Sequence, residues 1–426
     1  MTQEASGKPD AKKVLVIGGG VAGITAAIEA AEAGCQVVLV ERAPSLGGRV
    51  ARMNQYFPKL CPPACGLEIN FKRMKSNSSI QVLTQAEVQD LAGSPGDYTA
   101  TVKISPRYVT DACTQCGECV KVCPAERSSE FDYGMSKTKA VYLPQANAFP
   151  ALYALEREAC PAGCDLCVKA CAYGAIDLNQ KAETKTISVS AVIAATGWVP
   201  YDASKITNLG YGRCANVVTN VIMERLASVS GPTQGKILRP SDGKEPKTVA
   251  FVQCAGSRDE NHLPYCSAVC CSASLKQATY VRSAYPEAKV KIFYIDIRTP
   301  GRLEDFYTKV SSDPMVELIK GKVAKVEEDP ATKDVILEVE DVLHGKKITE
   351  RVDLLVLATG IVPQTQGLPA AATLDEFGFV DNRPGKTGFY GAGCVRRPEE
   401  VSATVQDATG AALKALQCAV RSAHHG

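Results

Sequence analysis

Two runs of cysteine set the chemistry to be explained. In the first, Cys113-x2-Cys116-x2-Cys119-x3-Cys123-Pro124, the short gaps wrap three thiolates around one corner of an iron–sulfur cubane and leave the fourth to reach a second cluster. The second run, Cys160-x3-Cys164-x2-Cys167-x3-Cys171, has one extra residue in its first gap and Ala172 where the first run has proline. Pseudo-symmetry between the runs assigns Cys113, Cys116, Cys119 and Cys171 to one [4Fe–4S] cluster, and Cys160, Cys164, Cys167 and Cys123 to the other. Structural zinc is the competing reading, since four thiolates also bind that ion. The order of the first run favours iron and sulfide.

A third set, Cys254, Cys266, Cys270 and Cys271, is spaced less regularly. Four such thiolates could hold a further [4Fe–4S] cluster, although the motif is not a standard one. Core cysteines with a redox pair among them fit the spacing as well. Cys61-Pro-Pro-Ala-Cys65 is either a dithiol or the lining of a turn, and the turn is the favoured reading. In all there are 18 cysteines in 426 residues, too few for a small disulfide scaffold. The N-terminal MTQEASGKPDAKK is polar and lacks the apolar stretch of a secretory signal. The expected compartment is therefore the cytosol, where clustered thiols act as metal ligands or redox groups.

The other chemically loaded stretch is VLVIGGGVAGITAA. Gly18 permits a tight turn after a strand, and Gly20 lets backbone approach a pyrophosphate. Gly23 allows close helix–strand packing, with Val21 and Ala22 opening the helix whose N-terminus attracts phosphate. Glu41, 18 residues beyond Gly23, ends the second strand where a ribose hydroxyl would lie. Glu41-Arg42 followed by Leu46-Gly47-Gly48-Arg49 is how FAD-binding members of this superfamily continue, so FAD is favoured over NAD. Ala195-Thr196-Gly197 resembles a strand end that passes near FAD in two-dinucleotide flavoproteins. Gly391-Ala392-Gly393-Cys394 resembles their C-terminal flavin segment. An Asp commonly binds the ribityl chain there; Cys394 replaces it, which leaves a backbone contact or a small buried side chain.

These residues need elements to place them. Residues 13–41 read as a βαβ unit, and 80–105 as a hairpin or small sheet. Residues 106–180 carry both cysteine quartets and read as an insertion into a domain that starts before and continues after it. A strand–helix–strand pattern recurs over 246–300, and a β-rich stretch follows at 315–357. Ala-Thr-Gly at 195–197 recurs at 358–360, an echo that duplicated nucleotide-binding folds produce. The expected divisions are 12–105 (first part of an FAD-binding domain), 106–180 (ferredoxin-like insertion), 181–245 (its continuation and a linker), 246–365 (a second Rossmann-like domain with a cysteine set) and 366–426 (C-terminal flavin segment and helix). In pyridine-nucleotide disulfide reductases the second βαβ turn carries another glycine fingerprint. Here that turn reads Gln253-Cys254-Ala255-Gly256-Ser257-Arg258, so poor NAD(P)H binding is expected.

GGRVARMNQYFPKLCPPACGLEIN, the ferredoxin-type insertion, FVQCAGSRDENHLPYCSAVCCSASLKQA, YIDIRTPG and the Gly-Ala-Gly-Cys ending together resemble the heterodisulfide reductase A-subunit family over residues 12 to about 418. Within it, the chain length and the CPPACGLEIN variant are most similar to the A-subunit of quinone-interacting membrane-bound oxidoreductase complexes. The resemblance implies an α/β, thioredoxin-reductase-like flavoprotein with two dinucleotide-binding domains and an inserted ferredoxin-like module. It implies FAD, two clusters in the insertion and an unusual third one on Cys254, Cys266, Cys270 and Cys271. Lys276 matches a family lysine near the flavin ring; a solvated helix lysine is the plain alternative. The implied partners are adenylylsulfate reductase, a second flavin/iron–sulfur subunit, and a membrane anchor subunit. The implied location is the inner face of the membrane, reached through those partners.

A net charge of +2 gives no reason to expect a nucleic-acid partner. No apolar run approaches the ~18 residues that span a bilayer. With four histidines and no nucleophile–base constellation, substrate chemistry is expected in partners. Three functions are compatible with these residues: an electron relay, a bifurcating heterodisulfide reductase flavin subunit, or a scaffold subunit with structural clusters.

Overall fold

The computed structural model describes residues 12–57, 60–383 and 387–422. Strand β1 (Lys13–Ile17), helix α1 (Val21–Glu32) and strand β2 (Gln36–Glu41) form the expected βαβ unit. Helix α2 (Pro63–Ser76) leads to β3 (Ile80–Thr84). Strands β4 (Ala86–Ser94) and β5 (Asp97–Ile104) make an antiparallel hairpin. Proline at the first position of α2 suits a helix start, where its missing N–H has no intrahelical partner.

The insertion leaves from the end of β5. It contains the short helix α3 (Glu118–Lys121), the hairpin of β6 (Glu126–Ser128) and β7 (Lys137–Lys139), the pair β8 (Val141–Tyr142) and β9 (Ala154–Leu155), and the helix α4 (Leu166–Ala170). The chain returns as β10 (Glu183–Val189), whose Glu183 sits opposite Ile104 of β5. The module is thus inserted between two neighbouring strands of one antiparallel sheet, and its entry and exit are adjacent. Its small core consists of Val109, Ala140, Val141, Leu155 and Ile176 with the buried thiols of Cys119, Cys123 and Cys167.

Next come β11 (Ala191–Ala194), β12 (Trp198–Pro200), β13 (Val217–Thr219) and α5 (Asn220–Ala227). The second unit continues with β14 (Thr248–Ala255), α6 (Cys270–Ala284), β15 (Lys289–Tyr294), α7 (Leu303–Ser311) and a meander of β16 (Val316–Glu328), β17 (Val335–Asp341) and β18 (Lys346–Val352). It closes with β19 (Leu354–Thr359) and β20 (Ile361–Pro363). Strand β21 (Phe389–Gly391) and helix α8 (Val401–Ser422) return to the first unit.

Two sheets result. The first is parallel, in the order β21-β11-β1-β2-β3, with α1 and α8 on one face and the β10-β5-β4 sheet on the other. Its central strands are apolar on both sides, as expected where both faces are covered. The second has the order β13-β19-β14-β15-β16-β17-β18. Strands β12 and β20, which follow the two Ala-Thr-Gly turns, pair antiparallel and tie the units together. The expected boundary at 246 lies too late: β13 pairs with β19, and α5 packs in the second unit's core through Met223. A three-residue strand shows no periodicity, so the sequence hid it.

One buried ion pair joins the insertion to the second unit. Arg225 on α5 donates from Nε to Asp132 Oδ1 at 2.8 Å, with its side chain 1% exposed. Its Nη2 donates to the Ser230 carbonyl at 2.8 Å, and its guanidinium lies 4.8 Å from the Phe131 ring centroid. Asp132→Ala leaves that guanidinium buried without a counter-ion and should cost about 3–5 kcal/mol. Thermal unfolding should show a large drop, largely recovered by adding Arg225→Met; an unchanged melting temperature would show the pair to be dispensable.

Candidate functional site

A cavity of about 720 Å³ lies where the units meet. Gly18, Gly20, Val21, Ala22, Glu41, Arg42, Gly48 and Arg49 line one end, together with Ala195, Thr196 and Gly197 from the end of β11. Lys276 from α6 and Cys394 beyond β21 line it too. Three expected site residues, Gly23, Gly47 and Gly393, stand behind this wall and make it possible. A Cβ on Gly23 would lie 1.8 Å from the Gly18 carbonyl oxygen, so only glycine lets α1 approach the turn. Gly48, at φ +57°, brings its backbone against Gly20, where a Cβ would lie 2.8 Å from the Gly20 Cα. Gly47 donates its N–H to the Gly19 carbonyl at 2.8 Å. Gly393 packs against Ala22 at the first turn of α1.

Glu41 accepts from the Gly19 N–H at 2.5 Å and from the Ala43 N–H at 2.7 Å. Burial raises its carboxyl above the usual range, against the pull of those N–H groups. It fixes the turn and faces the cavity at once. Arg49 donates to the Trp198 carbonyl and lies 5.0 Å from that indole ring centroid. The ferredoxin-like insertion supplies a wall that the sequence did not announce: Arg127, Phe131, Tyr142 and Gln145 line the cavity. Glu399 and Thr404 beside Cys394 were also missed.

Lys276 is not a solvated helix lysine. It is 4% exposed. Its ammonium donates to the Gln55 carbonyl at 2.6 Å and to Glu224 Oε1 at 2.9 Å. Glu224 also accepts from Gln277 at 2.7 Å, Tyr280 at 3.2 Å and the Asn54 N–H at 3.0 Å. Four donors thus satisfy this buried carboxyl group.

The structure brings members of each cysteine set together. Cys113, Cys116, Cys119 and Cys171 line one small void with Tyr153 and Ile176. Burial, then the neighbouring Cys113 thiol, pushes Cys119 up to about 11. Cys167 is raised by burial and by the nearby Cys160 and Cys123 thiols. The third set converges as well. Cys254 sits at φ +55° where the register of β14 against β19 shifts, and Cys270 and Cys271 open α6. The buried Cys270 thiol is raised by burial and by the charges of Cys254, Cys271 and Cys266. Arg258 bonds the Cys254 thiol and pairs with Asp296 at 2.8 Å. Among the described residues, no three His, Cys, Asp or Glu side chains gather tightly enough for a single metal ion. A cubane's ligands bind different irons and so stand further apart than the ligands of one zinc. Four converging thiols of this kind fit a [4Fe–4S] cluster.

Cys61 and Cys65 lie in the turn that precedes α2 and in its first turn. Both thiols are near the Tyr56 phenol, which burial and their charges raise.

Known proteins agree with this geometry. A family model described as FAD dependent oxidoreductase matches residues 13–104, and one described as 4Fe-4S binding domain matches residues 105–128. The A-subunit of the H(2):CoB-CoM heterodisulfide,ferredoxin reductase of Methanothermobacter marburgensis is 39% identical over 424 residues, covering 95% of this chain and 63% of that protein. The iron-sulfur A-subunit of the CoB--CoM heterodisulfide reductase of Methanocaldococcus jannaschii is 39% identical over 420 residues, covering 94% and 63%. Over 95% of its length the chain is similar to the A-subunits of heterodisulfide reductases. It spans 63% of the length of both these relatives. The matched models, an FAD dependent oxidoreductase and a 4Fe-4S binding domain, assign FAD and [4Fe–4S] clusters as cofactors. Thioredoxin reductases from T. acidophilum (TM-score 0.53, 16% identity, 96% of this chain and 99% of that one) and Lactococcus lactis (0.52, 13%, 96% and 99%) share the fold. No helix among the described residues is long and apolar enough to cross a membrane.

The glycine geometry separates two roles. Gly23→Ala should abolish folded protein, because its methyl meets backbone. A Cβ on Gly20 would meet nothing of the protein nearer than 3.9 Å. Gly20→Ala should therefore keep the melting temperature of the flavin-free chain while weakening FAD binding roughly tenfold or more. Fluorescence titration with FAD checks this, and undiminished affinity would contradict it.

Proposed function

We propose that this chain is the flavin and iron–sulfur electron-transfer subunit of a heterodisulfide-reductase-like complex, and that it exchanges electron pairs for single electrons. One observation carries the proposal: α6 opens with Cys270 and Cys271 of the third thiol set and, within two turns, presents Ser272, Ala273 and Lys276 toward the dinucleotide cavity. FAD accepts electrons singly or in pairs, whereas an iron–sulfur cluster carries one at a time. The residues of this chain supply the spacing. They also supply a buried cation, Lys276, which favours negative charge on whatever ring lies beside it.

The third thiol set occupies the turn where a second nucleotide fingerprint would lie. Gly256, at φ +77°, packs against Tyr201 and Ile206. That packing leaves no glycine free to cradle a pyrophosphate. Reduced pyridine nucleotide should therefore leave the flavin oxidised, as followed by its visible absorbance. Rapid bleaching by NADH would refute this reading.

The partner assignment has two forms. The names of the relatives favour a heterodisulfide reductase flavin subunit, with bifurcation between high- and low-potential acceptors. The variant at Cys61–Asn70 favours a relay between the quinone pool and adenylylsulfate reductase, through a membrane anchor and a second flavin/iron–sulfur subunit. Flavin potentials separate the two, since a strongly crossed pair belongs to bifurcation.

Lys276→Met should lower the flavin potential, and more so than Lys276→Met with Glu224→Gln, because the single variant leaves Glu224 without its counter-ion. Spectroelectrochemical titration measures this. An unshifted potential would place the ammonium out of reach of the flavin.

A further inference from the structure

Glu399 is a buried acid with half its carboxylate unused. Its side chain is 5% exposed, and Arg397 pairs with Oε1. Its other oxygen, Oε2, is buried without a hydrogen-bond partner among the protein groups. Such an oxygen is costly unless a donor reaches it. Glu399 lines the dinucleotide cavity beside Cys394, whose thiol donates to the Glu399 carbonyl at 3.4 Å. Both belong to the segment that Gly393 packs against the first turn of α1, the phosphate-attracting end. Glu41 and Lys276 also line the cavity, on β2 and α6. The segment between phosphate and ring in a flavin dinucleotide is a polyol, whose hydroxyls are neutral donors. Thr404 lines the same wall.

We propose that Glu399 Oε2 accepts a hydrogen bond from a ribityl hydroxyl of FAD, and so supplies from five residues downstream the carboxylate that Cys394 does not. The contact at this segment is then a side-chain one, not backbone alone. The inference rests on FAD occupying this cavity.

FAD dissociation constants test it, read by flavin fluorescence on the full chain, purified without oxygen and freed of flavin. Glu399→Leu should bind FAD about tenfold more weakly. A flavin analogue lacking the ribityl hydroxyls should lose about the same factor on the unaltered chain and nothing further on Glu399→Leu. Cys394→Asp added to Glu399→Leu should restore the preference for hydroxyls. Arg397→Gln, which removes the ion pair alone, should keep that preference. Equal FAD affinity in Glu399→Leu, or a hydroxyl preference that survives in it, overturns the proposal. So does an unaltered chain that binds FAD and the analogue alike, a measurement that needs no variant to fold. A loss seen with N3-methylated FAD instead would move the contact to the ring and overturn it as well. An unaltered chain that binds no FAD refutes the cofactor assignment rather than the role of Glu399.

Discussion

Thiols buried beside one another resist ionisation, because each thiolate loses water and repels its neighbours. In this chain the constraint appears in each of the three sets, and most strongly at Cys254 and Cys270, where burial and the charge of neighbouring thiolates act in the same direction. A cationic cluster core resolves it by replacing repulsion among thiolates with bonds to iron. The rest of the architecture holds these thiols and a flavin in one body. Adjacent strands β5 and β10 anchor the module that carries two sets, and α6 carries half of the third.

The cavity is built at a junction, and that explains its dependence on long-range pairs. Its glycine wall comes from β1, α1 and β11, its cation from α6, its acid from the segment before α8, and one flank from the insertion. Arg225 and Asp132 bind that flank to α5, while Glu224, one residue earlier on α5, holds Lys276. A single short helix thus orients both the insertion and the cavity's buried ammonium. Displacing α5 would disturb both together.

Features written in local spacing were legible from the residues. The βαβ unit, its glycines and Glu41 follow from a short-range pattern, and so do the two cysteine quartets with their crossed partition. The third set was legible as a set but not as a site, because its members converge only when β14 takes a left-handed turn at Cys254, near its end, against the start of α6. Glu224 and Glu399 gave no signal: Glu224 meets its partners 52 to 170 positions away, and Glu399 comes to the cavity only in the folded chain. Gly23 packs helix against strand as its spacing implied, and Gly47 and Gly393 stand behind the cavity wall, where close backbone approach acts at one remove. The second unit's early start at β13 was hidden by the shortness of that strand.

The decisive measurement is the metal and sulfide content of the anaerobically purified chain, set beside that of Cys254→Ser. About twelve irons with matching acid-labile sulfide are expected for three clusters, with about four of each lost in the variant and the flavin retained. Zinc in place of iron, or a Cys254→Ser chain with undiminished iron, would contradict the claim that buried thiols beside the flavin cavity hold a cluster.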